Sequence, residues 1–444
     1  MLSERANVNP APQASGLSSW SPLNAMPYLL GYLAVLYARP HEFSSGTANL
    51  PLLSVLLVLA FVLWLTRQPK NFEAPQFVCM PMILLACLVS LVRAGWLGGA
   101  WLSLKDFTPI VVLFFIIATT VDSMARLRQV FFVLALAVAA ISAHGVVQWS
   151  GGELWSGVKM VEQRITYLGF LNDPNDLAMA LLMLVPLILF LAGGAGFFMR
   201  WAYRAVAAAA VFNVYLCNSR GATLALGAML FMHGLWRYGV WRSLFVVPLL
   251  LVPLLLLGPS RMGEMSADEA SAEGRIEAWY EGMLMILSRP VFGVGKGLFM
   301  EHHNLTAHNS FILVAAELGT FGYFFWFANL VLTWLMLRRI GALKPDPQDL
   351  TSAGLAWAET HRASRALWLG YVGGLVAAFF LSRSYLVILY VHIGLVVAVF
   401  QLARSQRPDM PAVRLGDIWG RMLLASLASL VALWALTRTL LAFT

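Results

Sequence analysis

The amino-acid sequence predicts an all-α polytopic membrane protein: about 12–13 transmembrane helices with one large outer loop that contains an interfacial helix. Three observations carry this expectation. Of 444 residues, 60% are hydrophobic and 12% charged, with a mean hydropathy of +0.74, more apolar surface than a soluble chain of this length needs. Apolar segments of roughly 17–25 residues, long enough to cross a bilayer as a helix, recur along the chain. Basic residues favour alternate connections between those segments, as orientation in a membrane requires.

The elements follow in order. Apolar segments at 24–38, 50–66, 76–93, 107–121 and 129–149 lead to a polar loop at 150–174. In that loop Asn172-Asp173-Pro174-Asn175-Asp176 is built to start a helix. Asp173 suits the N-cap, Pro174 the first helical position and Asp176 the first turn. Segments at 175–196, 201–217, 221–238 and 241–257 follow, completing an N-terminal helical region, 1–257. The large polar loop, 258–308, then interrupts the pattern. Within it Ser266 to Ser288 reads as a helix: Ile276, Trp279, Tyr280, Met283, Leu284 and Leu287 repeat at helical spacing, and Pro290 ends the run. Its apolar face suits either the membrane surface or the helix bundle. The C-terminal region, 309–444, holds segments at 309–337, 365–382, 385–403 and 420–441. Between them, 340–364 with Lys344-Pro345-Asp346-Pro347 reads as a solvated connector. The first 23 residues, rich in Ser, Asn and Pro without a basic lead into a short apolar core, do not read as a cleavable leader.

With the N-terminus placed inside and the spans alternating, 18 of the 30 basic residues fall on inner connections and 12 outside. The net charge of +8 is therefore mostly topological and gives no reason to invoke nucleic acid. The large loop lands outside. Cys79, Cys87 and Cys217 lie in or beside apolar segments, form no CxxC pair and read as small buried hydrophobes. No internal repeat supports a transporter built from inverted halves. Gly293-Val294-Gly295 and Gly297 follow no strand, so they are a tight turn rather than a dinucleotide fingerprint.

Several charged residues sit where lipid should make them costly. Arg220, in Ser219-Arg220-Gly221, lies where one span ends outside and the next begins. Arg275 lies on the loop helix and Arg383 at a third outer junction, while Lys159 and Arg164 add charge from the 150–174 loop. Each taken alone reads as a snorkelling or surface cation. Together they suit an anionic ligand at the outer interface, because a guanidinium offers a fixed fork of donors to phosphate. His308, at the outer mouth of the span beginning at Asn309, is a candidate base. Its bland alternative is an interfacial or capping histidine. A metal site built from His302, His303 and His308 is rejected, since adjacent histidines seldom share one ion and no carboxylate pair accompanies them. Glu317 lies more than two turns inside the same span. It reads either as a functional intramembrane carboxylate or as a partner of a neighbouring helix or arginine. Asp173 is explained by capping alone, with acceptor or sugar binding as the alternative.

These pieces recur in a recognisable order: Asn172-Asp173-Pro174-Asn175, Ser219-Arg220-Gly221, Gly274-Arg275 with Trp279, Pro290 with Gly293 and Gly295, and His308-Asn309-Ser310 followed by Glu317-Leu318-Gly319 and Gly322. The chain resembles the O-antigen ligase / O-antigen polymerase superfamily of bacterial envelope glycosyltransferases, most sharply from about 170 to 325. The resemblance implies a membrane-glycosyltransferase type of fold in the bacterial inner membrane, multi-pass, with the large loop and active site facing the periplasm. It implies a glycan donor linked to undecaprenyl diphosphate and transfer without metal or cofactor. By the same analogy Arg220 and Arg275 bind the diphosphate and His308 is the base or positions the acceptor. Arg164, Lys159, Asp173, Arg383, Glu317 and Trp279 are then candidates for substrate binding. The expected acceptor is the lipid A core of lipopolysaccharide. The alternatives are a polymerase that extends one lipid-linked glycan with another, and a protein O-glycosylation ligase. A transporter of an anionic lipid-linked substrate is an alternative of another class. It would carry charge along a whole path, whereas these charges gather at one face.

Overall fold

The computed structural model describes residues 24–66, 69–152, 156–256 and 265–443. The opening 23 residues and the first part of the large loop, 257–264, lie outside the described residues. The described chain forms helices α1 (Ala25–Ala38), α2 (Leu52–Thr66), α3 (Gln76–Arg93), α4 (Leu97–Thr120), α5 (Met124–Trp149), α6 (Pro174–Gly193), α7 (Phe197–Leu216), α8 (Arg220–Tyr238), α9 (Val240–Leu256), α10 (Met265–Ser288), α11 (Ser310–Ala342), α12 (Ser352–Phe380), α13 (Val387–Gln406) and α14 (Leu415–Leu441). Among the described residues there is no β-sheet, only an isolated bridge between Val161 and Arg164. The chain is an all-α polytopic membrane protein. Among the described residues, eight helices, α3, α4, α5, α6, α11, α12, α13 and α14, are both long and apolar enough to cross a bilayer. Helices α1, α2, α7 and α8 are shorter or more polar and pack against this set, and α9 packs on α8.

Helix starts follow local side-chain chemistry. Ser123, Asp173, Ser219, Asn309 and Thr351 each accept a backbone N–H from the first turn of the helix that follows. Such bonds satisfy donors that no helical carbonyl can reach.

The helix junctions fall at two opposite ends, as alternating spans require. At one end, Tyr167 donates to the carbonyl of Ala38 (2.6 Å) and Gln148 to that of Val158 (2.8 Å). There too the Lys296 amide donates to Ser90 (3.2 Å) and Thr306 to Ser382 (2.8 Å). At the other end Arg128 pairs with Glu359, Arg404 with Glu73, and Arg339 donates to the carbonyl of Pro411 (2.8 Å). We call the first end the mouth.

Two elements differ from expectation, and a third, the loop helix, falls where it was read. Helix α4 begins ten residues before the apolar segment read at 107–121, with Lys105 placed over the Trp101 ring. The connector read at 340–364 is helical from Ser352 onward. Thr351 caps it, Trp357 is buried, and Glu359 is held by Arg128. The loop helix, read at 266–288, is α10, and its apolar face packs on α11 and α14. Trp279 and Met283 are buried there, while Leu287 stays exposed.

Helix α11 is broken at Gly319, where φ is +63° and ψ is −168°. The break admits the turn at 290–295. The amides of Val294 and Gly295 donate to the carbonyls of Ala316 and Glu317 (2.9 and 3.0 Å). In return, those of Thr320 and Phe321 donate to Pro290 and Val291 (2.8 and 3.1 Å). A Cβ at Gly293 or Gly319 would lie 2.4 Å from the opposing backbone, so both positions require glycine. This interlock fixes the end of α10 against α11 and thereby sets where the mouth residues stand.

Candidate functional site

Four separate elements bring ionisable groups to the mouth. Arg220 is the first residue of α8, whose N-cap is Ser219. Gly221 beside it lets α8 approach α12 closely, since a Cβ there would lie 3.1 Å from the Cβ of Phe380. Arg275 projects from α10. His308 lies between that loop and α11, in a left-handed conformation (φ +46°) that swings the chain into the Asn309 cap. Arg383 lies between α12 and α13. It forms an ion pair with Asp176, and its other arm reaches Asp173 at 3.5 Å.

These groups act on one another. The Arg275 guanidinium is pushed below its ordinary value by burial and by the charge of Arg220. Burial also holds the His308 imidazole below 6.5, with Arg275 and Arg383 pushing the same way and Asp173 opposing. His308 is consequently neutral at neutral pH and able to take a proton. Two guanidinium groups held near each other by different helices raise the energy of the site, and an anion between them relieves it. The arrangement suits binding a multiply charged anion beside a neutral imidazole.

A hydroxyl zipper, unforeseen in the sequence, positions His308. Thr306 donates to Ser382; Ser310 donates to the carbonyl of Leu381 (2.6 Å) and accepts the Arg383 amide (3.0 Å). Ser384 donates to the carbonyl of Ser310 (3.0 Å). The Ser382-Arg383-Ser384 triplet between two apolar spans was the available signal. Asp176 as the main partner of Arg383 was likewise missed, because the two are 207 positions apart.

The other candidates occupy supporting places. Asp173 caps α6, accepting the amides of Asn175 (2.7 Å) and Asp176 (3.4 Å), while it also faces Arg383 and His308. Arg164 donates to the carbonyl of Cys217 (2.7 Å) and to Asn175 (2.8 Å), tying the start of α6 to the end of α7. Trp279 is buried edge-on against Phe379, with ring centroids 5.7 Å apart. Glu317 is 2% exposed. Tyr385 donates to it at 3.0 Å, and the backbone amides of Gly297 and Phe299 and the charge of Lys296 also face it. It fastens the 293–299 segment to α11 beneath the mouth. Lys159 is exposed on the 156–173 loop, and no contact among the described residues joins its side chain to the cluster. His302 and His303 turn their rings to nearby backbone, at Leu298 (3.0 Å) and Leu305 (3.0 Å).

Compared with known proteins, residues 205–327 match the family model described as O-antigen ligase. The matched stretch runs from α7 into α11 and includes Arg220, Arg275, Trp279, His308 and Glu317. No curated protein matches the chain.

Proposed function

We propose, from the match of residues 205–327 to the O-antigen ligase family model, that the chain transfers a glycan from a lipid-linked diphosphate to an acceptor hydroxyl at the mouth. The donor lipid is undecaprenyl diphosphate, the mouth faces the periplasm, and the protein resides in the bacterial inner membrane. The acceptor is the lipid A core of lipopolysaccharide.

The observation that carries this reading is the gathering of Arg220, Arg275 and His308 from three elements, with their charges acting on one another. The acceptor hydroxyl attacks the anomeric carbon from the face opposite the diphosphate. The new glycosidic bond forms as the bond from the anomeric carbon to the diphosphate oxygen breaks, which inverts the configuration. His308 takes the hydroxyl proton. The electron pair leaves on the diphosphate, and Arg220 and Arg275 stabilise the charge that grows there. Diphosphate is already a good leaving group, so neutralising it and orienting the acceptor supply most of what catalysis needs. Arg383, held by Asp173 and Asp176, tunes His308 and walls the acceptor side.

Deletion of the gene tests the assignment by its effect on lipopolysaccharide resolved on a gel. Loss of all long glycan, with accumulation of lipid-linked polymer, is expected. A core carrying a single repeat unit would replace the ligase reading by a polymerase, and an unchanged ladder would refute a lipopolysaccharide acceptor.

A further inference from the structure

A second basic cleft lies away from the mouth cluster. Arg93, in the last turn of α3, and Arg289, just after α10, face a cavity of about 410 Å³ completed by Ser288 and the turn Pro290-Val291-Phe292-Gly293. No carboxylate lines it. Neither guanidinium has a hydrogen-bond or ion-pair partner among the described residues, and both are exposed. Arg289 is 14 residues beyond Arg275 in the chain, about 20 Å along a helix, so the cleft is separate from the diphosphate-binding arginines.

The cleft wall is rigid, because Pro290 and Val291 are bonded to Thr320 and Phe321 across the break in α11. Its surroundings are apolar and outward-facing. Val92 beside Arg93 is 49% exposed and Val291 is 52% exposed. Trp96 and Leu97, in the next turn of chain, are also exposed. Tryptophan with exposed aliphatic residues around paired arginines is the composition of a membrane–water boundary. Two forked cations above an apolar wall match an anionic headgroup whose acyl chains continue down that wall.

We infer that the Arg93–Arg289 cleft binds the phosphate of an anionic lipid headgroup. The occupant is a lipid, and the site is distinct from the mouth cluster to which glycan transfer is assigned. It anchors the α10–α11 turn to the bilayer surface, and through the α11 break it braces the elements that carry Arg275 and His308.

The test uses the purified full chain and phosphatidylglycerol as probe, followed by native mass spectrometry during a lipid titration. Wild type is expected to retain a phosphatidylglycerol adduct that the double variant R93Q/R289Q binds roughly tenfold or more weakly, while R93K/R289K keeps part of the affinity. Phosphatidylcholine, with no net charge, is expected to bind wild type and R93Q/R289Q alike. Equal phosphatidylglycerol retention by wild type and R93Q/R289Q, at equal melting temperature, would overturn the site and leave the arginines as helix-end charges. Displacement of the adduct by millimolar inorganic phosphate as effectively as by added phosphatidylglycerol would overturn the lipid assignment in favour of free phosphate.

Discussion

Replacing Gly319 by alanine tests whether the interlock between the 290–295 turn and the break in α11 holds the site together. Gly319 has φ +63° and ψ −168°, a region occupied essentially only by glycine. Strain there costs about 1–3 kcal/mol for another residue. The added Cβ would stand 2.4–2.6 Å from the backbone of Val291 and Gly293. Ordinary contact lies a full ångström farther out, and neither side is a flexible side chain. Relief requires the two backbones to part, at the expense of some of the four hydrogen bonds that cross between them. Losing two at about 1 kcal/mol each brings the total to about 3–5 kcal/mol. Gly297→Ala is the control: its φ is +79°, but nothing lies within 4 Å of the new Cβ, so only the backbone term of about 1 kcal/mol applies. Thermal unfolding of purified variants, followed by a transfer assay, should show Gly319→Ala markedly destabilised and inactive, with Gly297→Ala close to wild type. Equal melting temperatures for the two variants would refute the reasoning.

Arg220→Lys and Arg275→Lys should each lower kcat/KM roughly ten- to a hundredfold, because lysine keeps the charge but not the two-pronged contact with diphosphate. Undiminished transfer in both variants would reduce these arginines to interfacial cations. The pH profile has a definite sign. His308 acts when neutral, and its folded value lies below the ordinary 6.5. Activity is therefore retained down past 6.5 and lost as pH falls through that lowered value. Asp173→Asn preserves the helix cap but removes a charge that raises His308, so the acid limb should move to lower pH. Arg383→Gln should move it to higher pH. Movement of both in one direction would contradict the charge arrangement around His308.

The helices were legible because bilayer-length apolar runs are separated by polar punctuation. Helix α10 was placed within a residue, since Pro290 stops it and Trp279 and Met283 mark its buried face. What composition misses is how far a helix continues beyond lipid. The polar turns of α12 from Ser352 and of α4 from Leu97 are held by capping, by the Arg128–Glu359 pair and by Lys105 over Trp101. An apolar window reports none of these. At the site, Arg220 stood out because charge at bilayer depth is costly, Arg275 because it lies on the loop helix, and His308 because it stands where the polar loop meets an apolar span. The pairing of Arg383 with Asp176, the zipper of Thr306, Ser310, Ser382 and Ser384, and the backbone crossing at Gly293 and Gly319 join distant segments. Each partner has a complete local explanation as a cap, a turn or a surface charge, so only the packed chain reveals the pairing.

The most direct test of the central claim replaces His308 by asparagine in the purified, reconstituted protein. Asparagine tolerates the left-handed backbone found at this position (φ +46°) and retains hydrogen-bonding capacity, but it cannot take a proton near neutral pH. Glycan transfer from a lipid-diphosphate donor should fall by about a hundredfold or more, with donor binding and melting temperature unchanged. A His308→Asn protein that transfers glycan at the wild-type rate would contradict the account.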